Sequence, residues 1–437
     1  MTSADRSIPY RQGSGASFHH VVLAACLCFL LLVGTDSVSI VFWQMGLAKK
    51  IEIFVMVPIL ATTVLYYRHL VRGAFASPEL SLLVILAFFS IAWSDYPIWT
   101  FERALPMIVT TALALSLGSM MSLRGLLLFI ATFFALAMVL SMAAIIAFPQ
   151  ARGIPPWGDT WNGIYVHKNG LGLASMWALL TCYYASHQFR GKLKTVFIFA
   201  TILALFLLIA SESRTAQIIA LVSMAALITS QLLPRLETIW TIGYILFAIF
   251  IIGFAAFLLA STIAEPLFAL IGRKPTLSER IPIWELVWPN IMERFWLGYG
   301  YAAHWFESAP HLSVYSSRAN LGFLPHYSHN GLLETFLNTG FIGVFLLACV
   351  FARFFFSVFY GLRYIQQRDA IVFTFLLGMT FFFINITESS ILDRMNASWI
   401  FFVAFTTKMN LVAKALQDSA KADYAARHPR VSNIAAN

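Results

Sequence analysis

The chain has 437 residues, of which 59% are hydrophobic, 15% aromatic and only 11% charged. Because charged residues make up about 25% of an ordinary soluble domain, this composition excludes a water-soluble protein. Apolar runs of about twenty residues recur along the whole chain, whereas the strands of a transmembrane β-barrel would alternate apolar and polar residues over about ten. The sequence therefore predicts an all-α polytopic membrane protein.

The longest apolar segments predict about twelve transmembrane helices. Their expected ranges are 20–43, 51–67, 79–94, 102–119, 124–148, 169–188, 194–211, 215–233, 238–264, 330–361, 369–388 and 394–412. Residues 34–37 interrupt the first segment, and a turn at Asp36 would add one more span. The predicted organisation is an N-terminal tail at 1–19, spans 1–9 within 20–264, one large loop at 265–329, spans 10–12 within 330–412 and a C-terminal tail at 413–437.

Lys and Arg residues orient the predicted spans. The net charge is +9, and roughly twice as many basic residues fall on the side of the two termini as in the short loops of the other side. This asymmetry predicts that both termini are cytoplasmic. The basic residues form no stripe, so we expect no nucleic-acid partner. The four cysteines lie within apolar runs and predict neither a disulfide nor a metal site.

The large loop carries an amphipathic pattern. Ser278 and Pro282 are typical of a helix start, and an apolar stripe follows at spacings of three and four residues. The residues of this stripe are Trp284, Val287, Trp288, Ile291, Met292 and Phe295. The pattern predicts a helix that lies on the membrane surface or caps the bundle.

Polar residues collect at the predicted outer ends of the spans. They occupy the segments 93–97, 163–170, 211–214, 280–284, 326–330 and 387–389. The even-numbered spans begin on this side, so their N-termini bring unpaired N–H groups and partial positive charge to it. Lys168, Arg214 and His329 lie at three of these N-termini. Several such ends together favour binding of a diphosphate over a single anionic group.

Each of these residues also has a simpler interpretation. A Lys or Arg at a span end often extends to lipid headgroups, and a histidine there can be merely interfacial. The functional hypothesis for His329 is a general base that takes a proton from a sugar hydroxyl. A metal site formed by His304, His326 and His329 would lack an acidic ligand and a recognised spacing.

Four motifs together resemble the O-antigen ligase and polymerase superfamily. The segment 329–343 is similar to the family signature HN-x-[FYL]-L-E followed by G-[LF]-[IL]-G. Upstream, 163–172 resembles G-[IV]-[FY]-x-H-K-N-x-L-G, 211–215 resembles S-x-S-R-[ST], and 280–284 resembles R-x-x-[IL]-W. The stretch 93–97 is more similar to the exopolysaccharide-polymerase branch, of succinoglycan type, than to the lipopolysaccharide ligases.

The resemblance implies a metal-independent glycosyltransferase of the bacterial inner membrane that needs no cofactor. Its donor would be an oligosaccharide on undecaprenyl diphosphate at the periplasmic face, and its acceptor a second lipid-linked oligosaccharide. Arg214 and Arg280 would bind the diphosphate, and His329 would activate the acceptor hydroxyl. The substrate-binding candidates around them are His167, Lys168, Asn169, Ser211, Ser213, His326, Asn330 and Glu388. Besides the lipid bilayer, chain-length regulator and export proteins are expected as partners.

Three other functions remain open from the sequence. A ligase would pass the finished glycan to a lipid A core or to a protein, using the same pocket. A lipid-linked sugar or polysaccharide transporter would line a path through the membrane, and Asp36 and Glu52 support that alternative. A structural scaffold would not depend on Arg214, Arg280 or His329.

Overall fold

The computed structural model describes residues 48–153, 160–232, 253, 280–307, 309, 325–364 and 368–428. The predicted spans at 20–43 and 238–264, the N-terminal tail, Asp36 and much of the loop 265–329 lie outside these residues.

Twelve α-helices form the described part of the chain. They are α1 (Ala48–Leu65), α2 (Tyr67–Ala76), α3 (Pro78–Phe89), α4 (Pro97–Met120), α5 (Leu123–Ala147), α6 (Lys168–Gln188), α7 (Lys192–Ala210), α8 (Arg214–Leu232), α9 (Arg280–Glu293), α10 (Gly331–Tyr364), α11 (Arg368–Thr387) and α12 (Ala397–Arg427). Every predicted span that falls on described residues coincides with one of them. The predicted all-α polytopic membrane fold is confirmed.

Six of these helices, α4, α5, α7, α10, α11 and α12, are each long and apolar enough to cross a membrane. The pair α1 and α2 would be a seventh span if it crosses as one broken helix, although the chain bends by 82° between them. The count of about twelve spans therefore stays a prediction. α2 was not expected, because its residues were assigned to a loop between two spans.

The centre of the bundle is built around α4 and α12, which run in the same direction. Trp399 near the start of α12 is fully buried and donates a hydrogen bond of 2.9 Å from Nε1 to Thr111 Oγ1 of α4. Further along, a Cβ on Gly118 of α4 would collide with the carbonyl of Ala404 and the side chain of Thr407. Small residues allow such close approach of helices in membranes, where van der Waals packing drives association.

A glycine break in α10 joins the predicted amphipathic helix to the bundle. Gly340 has φ 66° and ψ −165°, a conformation that is essentially restricted to glycine. At this break Phe341 N donates to Phe295 O at 2.7 Å, and Tyr299 N donates to Leu337 O at 2.7 Å. The predicted helix is present as α9, and its residues Ile283, Val287 and Ile291 are buried. α9 and the chain after it are therefore fixed against α10.

Candidate active site

The polar segments predicted from the sequence meet at one end of the bundle, which we call the site end. Lys168 is the first residue of α6 and Arg214 the first of α8, as the sequence predicted for these two cations. α10 begins directly after Asn330, and α11 ends directly before Glu388. Loops at these helix ends therefore place their side chains near one another.

Glu388 is the centre of this cluster. Its Oε1 accepts a hydrogen bond of 2.6 Å from Arg280 Nη2 and one of 3.3 Å from Asn169 Nδ2. Its Oε2 lies 3.5 Å from His329 Nδ1, within ion-pair distance but without the geometry of a formed hydrogen bond. The Glu388 and Arg280 side chains are only 8% and 7% exposed. One buried carboxylate thus contacts three residues from three separate motifs.

The charge of Glu388 is stabilised by its neighbours. Burial on its own would raise the pKa of this carboxyl group, but Arg280 opposes burial, and His329 and His167 add to the effect of Arg280. The pKa of Glu388 is therefore lower than its ordinary value. The carboxylate remains ionised at neutral pH and balances the buried Arg280 guanidinium.

Asn169 connects this carboxylate to the start of α8. Ser213 Oγ donates to Asn169 Oδ1 at 3.3 Å, and Ser211 Oγ accepts from Ser213 N at 3.3 Å. The two helices come close because Gly172 of α6 has no side chain where a Cβ would meet Ser213. Arg214 follows Ser213 directly and is partly buried. The 211–214 motif therefore adjoins the Glu388 cluster through Asn169.

His167 caps α6, because its Nδ1 accepts a hydrogen bond of 3.2 Å from Asn169 N. Burial lowers the pKa of this imidazole, while Glu388 partly opposes the change and Lys168 reinforces it. His167 is therefore neutral at pH 7, as an Nδ1 acceptor must be. Its position beside Asn169 gives it a capping role in the site's framework.

His329 is held in an unusual backbone conformation. Its φ is 53°, in the left-handed region that non-glycine residues seldom adopt. The next residue fixes this turn: Asn330 N donates to Ser389 Oγ at 3.0 Å, and Asn330 Nδ2 donates to Ile386 O at 3.1 Å. Backbone strain of this kind is concentrated at functional sites, where the surrounding structure maintains it.

A second buried carboxylate braces the same turn. Glu334 Oε2 accepts a hydrogen bond of 2.9 Å from Ser328 N, the residue before His329. Its Oε1 accepts one of 2.9 Å from Trp305 Nε1, and Trp284 Nε1 donates to Ser328 O at 2.8 Å. Glu334 was not among the predicted site residues, although it belongs to the 329–343 motif.

His326 and His304, two histidines considered in the sequence analysis as metal ligands, are not among the contacts described for the Glu388 cluster. His326 is exposed and is not among the contacts described for Glu388. His304 is buried against Tyr299 and Trp305, with ring centroids 5.0 Å and 4.9 Å away. In the part of the chain that the structure describes, no three His, Cys, Asp or Glu side chains could together hold a metal ion. His304, His326 and His329 thus do not form the metal site considered above.

These observations define a helical membrane protein with a buried polar cluster at one end of its bundle. Residues 199–348, about a third of the chain, match the family model described as O-antigen ligase. This segment is therefore similar to the O-antigen ligase family, in agreement with the resemblance that the motifs indicated. The match contains Arg214, Arg280 and His329, whereas Asn169 and Glu388 lie outside it. A search of curated proteins finds no match to this chain.

Proposed function

We propose that the chain is a glycosyltransferase that polymerises lipid-linked oligosaccharide repeat units into an exopolysaccharide. The observation that carries this proposal is the buried Glu388 carboxylate between Arg280 and His329. The family match supports a membrane enzyme of the ligase and polymerase type. The site end would face the periplasm of a bacterial inner membrane, and both termini would be cytoplasmic.

In this mechanism His329 is the general base. Glu388 Oε2 lies on the Nδ1 side of the imidazole, so the tautomer with its proton on Nδ1 is favoured and leaves the Nε2 lone pair available. Nε2 takes the proton from an acceptor sugar hydroxyl as that oxygen attacks the anomeric carbon of the donor. The 3.5 Å contact to Glu388 shortens when the imidazole becomes positively charged, because a charge-assisted hydrogen bond is stronger.

The bond that breaks joins the anomeric carbon to the diphosphate oxygen. Undecaprenyl diphosphate leaves with the electron pair, and inversion follows from direct displacement. Arg280 Nη1 is buried without a hydrogen-bond partner within the described residues, although Nη2 binds Glu388. We assign this N–H group, together with Arg214, to the developing charge on the diphosphate, which fixed cations stabilise most effectively in a dry site. Lys168 and the N-terminus of α6 add positive potential beside it.

The acceptor distinguishes the two closest functions. A polymerase passes the growing chain to another lipid-linked repeat unit, whereas a ligase passes it to a lipid A core or a protein. The stretch 93–97 supports the polymerase, because its similarity is to the exopolysaccharide branch.

This stretch contacts the chain after α9, since Asp95 Oδ2 lies 2.9 Å from a guanidinium nitrogen of Arg294. Trp93 Nε1 also donates to Leu297 O at 3.0 Å. Chain-length regulator and export proteins would act on the product.

The test compares wild type with His329→Ala at equal membrane level in the native host. Surface glycans and lipid-linked precursors are separated by size. We expect long polymer to disappear and single repeat units to accumulate on the lipid carrier. Because a positioned base contributes about 10²- to 10⁴-fold in rate, polymer should fall by at least about a hundredfold.

His187→Ala is the matched control, because His187 is an exposed histidine at the far end of α6. It should leave both pools unchanged. Polymer that forms but stays on the carrier in His329→Ala cells would instead favour a ligase. Unchanged pools in these cells would refute a catalytic role for His329.

A further inference from the structure

The end of the bundle opposite the site carries a group of basic side chains that the glycosyl-transfer mechanism does not use. α4 begins at the site end, and Ser119 near its other end lies roughly 33 Å further along the helix axis, at about 1.5 Å per residue. Ser119 Oγ lies 3.5 Å from His69 Nδ1 of α2. Lys408 of α12 follows Thr407, which packs at Gly118 of α4. α2 and Lys408 therefore both lie at the level where α4 ends.

α2 has the properties of a helix that lies in the membrane interface. It departs from α1 by a bend of 82°, and Gly73 faces the bundle with no room for a Cβ beside Leu115 O, at 2.5 Å. Its outer side exposes Tyr67, Val71 and Phe75, with relative exposures of 55%, 47% and 80%. These residues are four apart, so they form one apolar stripe that lipid chains would cover.

Two arginines run beside this stripe. Arg68 and Arg72 are also four residues apart and are exposed. Arg68 Nε donates to Tyr67 OH at 3.4 Å. Within the described ranges, neither arginine forms an ion pair with an acidic residue. A basic row next to an apolar row matches a lipid that presents a phosphate above its acyl chains.

Lys408 supplies the second, independent observation. It is only 6% exposed, and it lies at the level of α4 against which α2 packs. Among the residues that the structure describes, no acidic side chain pairs with Lys408. A buried charge without a counter-ion is costly, so an anion at this position would compensate the charge of Lys408.

We infer that Arg68, Arg72 and Lys408 form a binding site for the phosphate of an anionic lipid headgroup, in the leaflet opposite the site end. The apolar stripe of α2 favours a lipid over free phosphate, because it places acyl chains beside the basic row. This inference goes beyond the proposed function and does not depend on it, since the site lies at the other end of the bundle.

The test uses the full-length chain, purified in detergent and exposed to equimolar phosphatidylglycerol and phosphatidylcholine. Native mass spectrometry then measures which lipid stays bound. We expect wild type to retain phosphatidylglycerol preferentially. Arg72→Gln and Lys408→Met should each lower this preference about fivefold, because one cation near a lipid surface contributes that much to binding.

Lys414→Met is the control, because Lys414 is an exposed lysine on the same helix as Lys408. It should keep the preference of wild type. The exposed position of Arg72 keeps the test informative even if Lys408→Met does not fold. Equal retention of the two lipids by wild type, or an equal loss in Lys414→Met, would overturn the inference.

A second experiment, thermal unfolding, distinguishes binding of a lipid headgroup from binding of free phosphate. In lipid-free detergent, phosphatidylglycerol should raise the unfolding temperature of wild type, and Lys408→Met should remove this increase. Inorganic phosphate at the same concentration should have no effect. Stabilisation by inorganic phosphate to the same extent would show a free-anion site and overturn the assignment to a lipid.

Discussion

The ion pair between Arg280 and Glu388 has two possible roles. It can take part in catalysis, or it can only balance the charges of two buried side chains. Arg280→Met alone should lose activity on either reading and also destabilise the protein by about 3–5 kcal/mol, because it leaves the Glu388 carboxylate buried without a cation. The double variant Arg280→Met/Glu388→Met removes both charges. We expect it to regain most of the lost stability and to remain inactive.

The measurements are the unfolding temperature of the purified variants and the yield of polymer in cells. Glu212→Gln is a suitable control, because Glu212 is an exposed carboxylate at the site end, next to Ser211. If the double variant made polymer at the wild-type rate, Arg280 and Glu388 would be a structural pair only.

The lowered pKa of Glu388 also predicts how stability depends on pH. The unfolded carboxyl group titrates near pH 4.3, and the folded one titrates lower. The contribution of Glu388 to stability is therefore complete above about pH 4.3 and is lost as the pH falls through the folded pKa. Between about pH 5 and pH 3, the unfolding temperature should fall more steeply for wild type than for Glu388→Gln. Equal slopes would contradict the lowered pKa.

The sequence identified most of the residues in the cluster but not their contacts. Arg280, His329 and Asn169 were found through separate motifs, and Glu388 was placed among the substrate-binding residues. In the structure Glu388 contacts the other three residues, and its assignment to substrate binding stays a prediction. The sequence could not predict these contacts, because the residues are up to 219 positions apart and no local pattern specifies which loops meet.

At the scale of elements, the glycine break in α10 fixes the chain that follows α9 against the bundle. Gly340→Ala should disrupt it, because φ 66° with ψ −165° is unfavourable for alanine and the added Cβ would collide with the Trp296 carbonyl. We expect a loss of stability of about 1–3 kcal/mol from the backbone strain. Polymer yield should fall with it, since Phe341 N would lose its bond to Phe295 O.

Gly361→Ala is the matched control in the same helix. A Cβ there would meet the end of the flexible Met409 side chain at 3.2 Å, and alanine favours a helical backbone. Thermal unfolding and polymer yield should stay close to wild type for this variant. A Gly340→Ala protein as stable as wild type would show that the break does not need glycine.

Helix α2 shows why apolar runs predict some elements and miss others. Long apolar runs such as α5 were predicted within one or two residues, because burial in lipid requires about twenty apolar residues in a helix. α2 has ten residues with two arginines among them, so its mean composition resembles a loop. Its helical pattern is the spacing of four residues between Tyr67, Val71 and Phe75, which a search for long apolar runs does not detect.

The site also depends on more of the molecule than the family match covers. Residues 199–348 match the O-antigen ligase model, yet the Glu388 carboxylate follows α11 and Asn169 begins α6. Both helices lie outside the matched segment. The matched segment alone therefore lacks the carboxylate that contacts Arg280 and His329, and the cluster also needs Asn169 of α6 and Glu388 after α11.

The orientation of the whole molecule can be tested with two single cysteines in a background without native cysteines. Val166→Cys lies beside His167 at the site end and is 43% exposed. Asp418→Cys lies on the exposed part of α12, beyond Lys408. Because the C-terminus is predicted to be cytoplasmic and the site end is proposed to face the periplasm, a membrane-impermeant maleimide should label only Val166→Cys in intact spheroplasts. After the membrane is permeabilised, both variants should react. Labelling of Asp418→Cys alone in intact spheroplasts would reverse the orientation, and the donor would then have to be used on the cytoplasmic side.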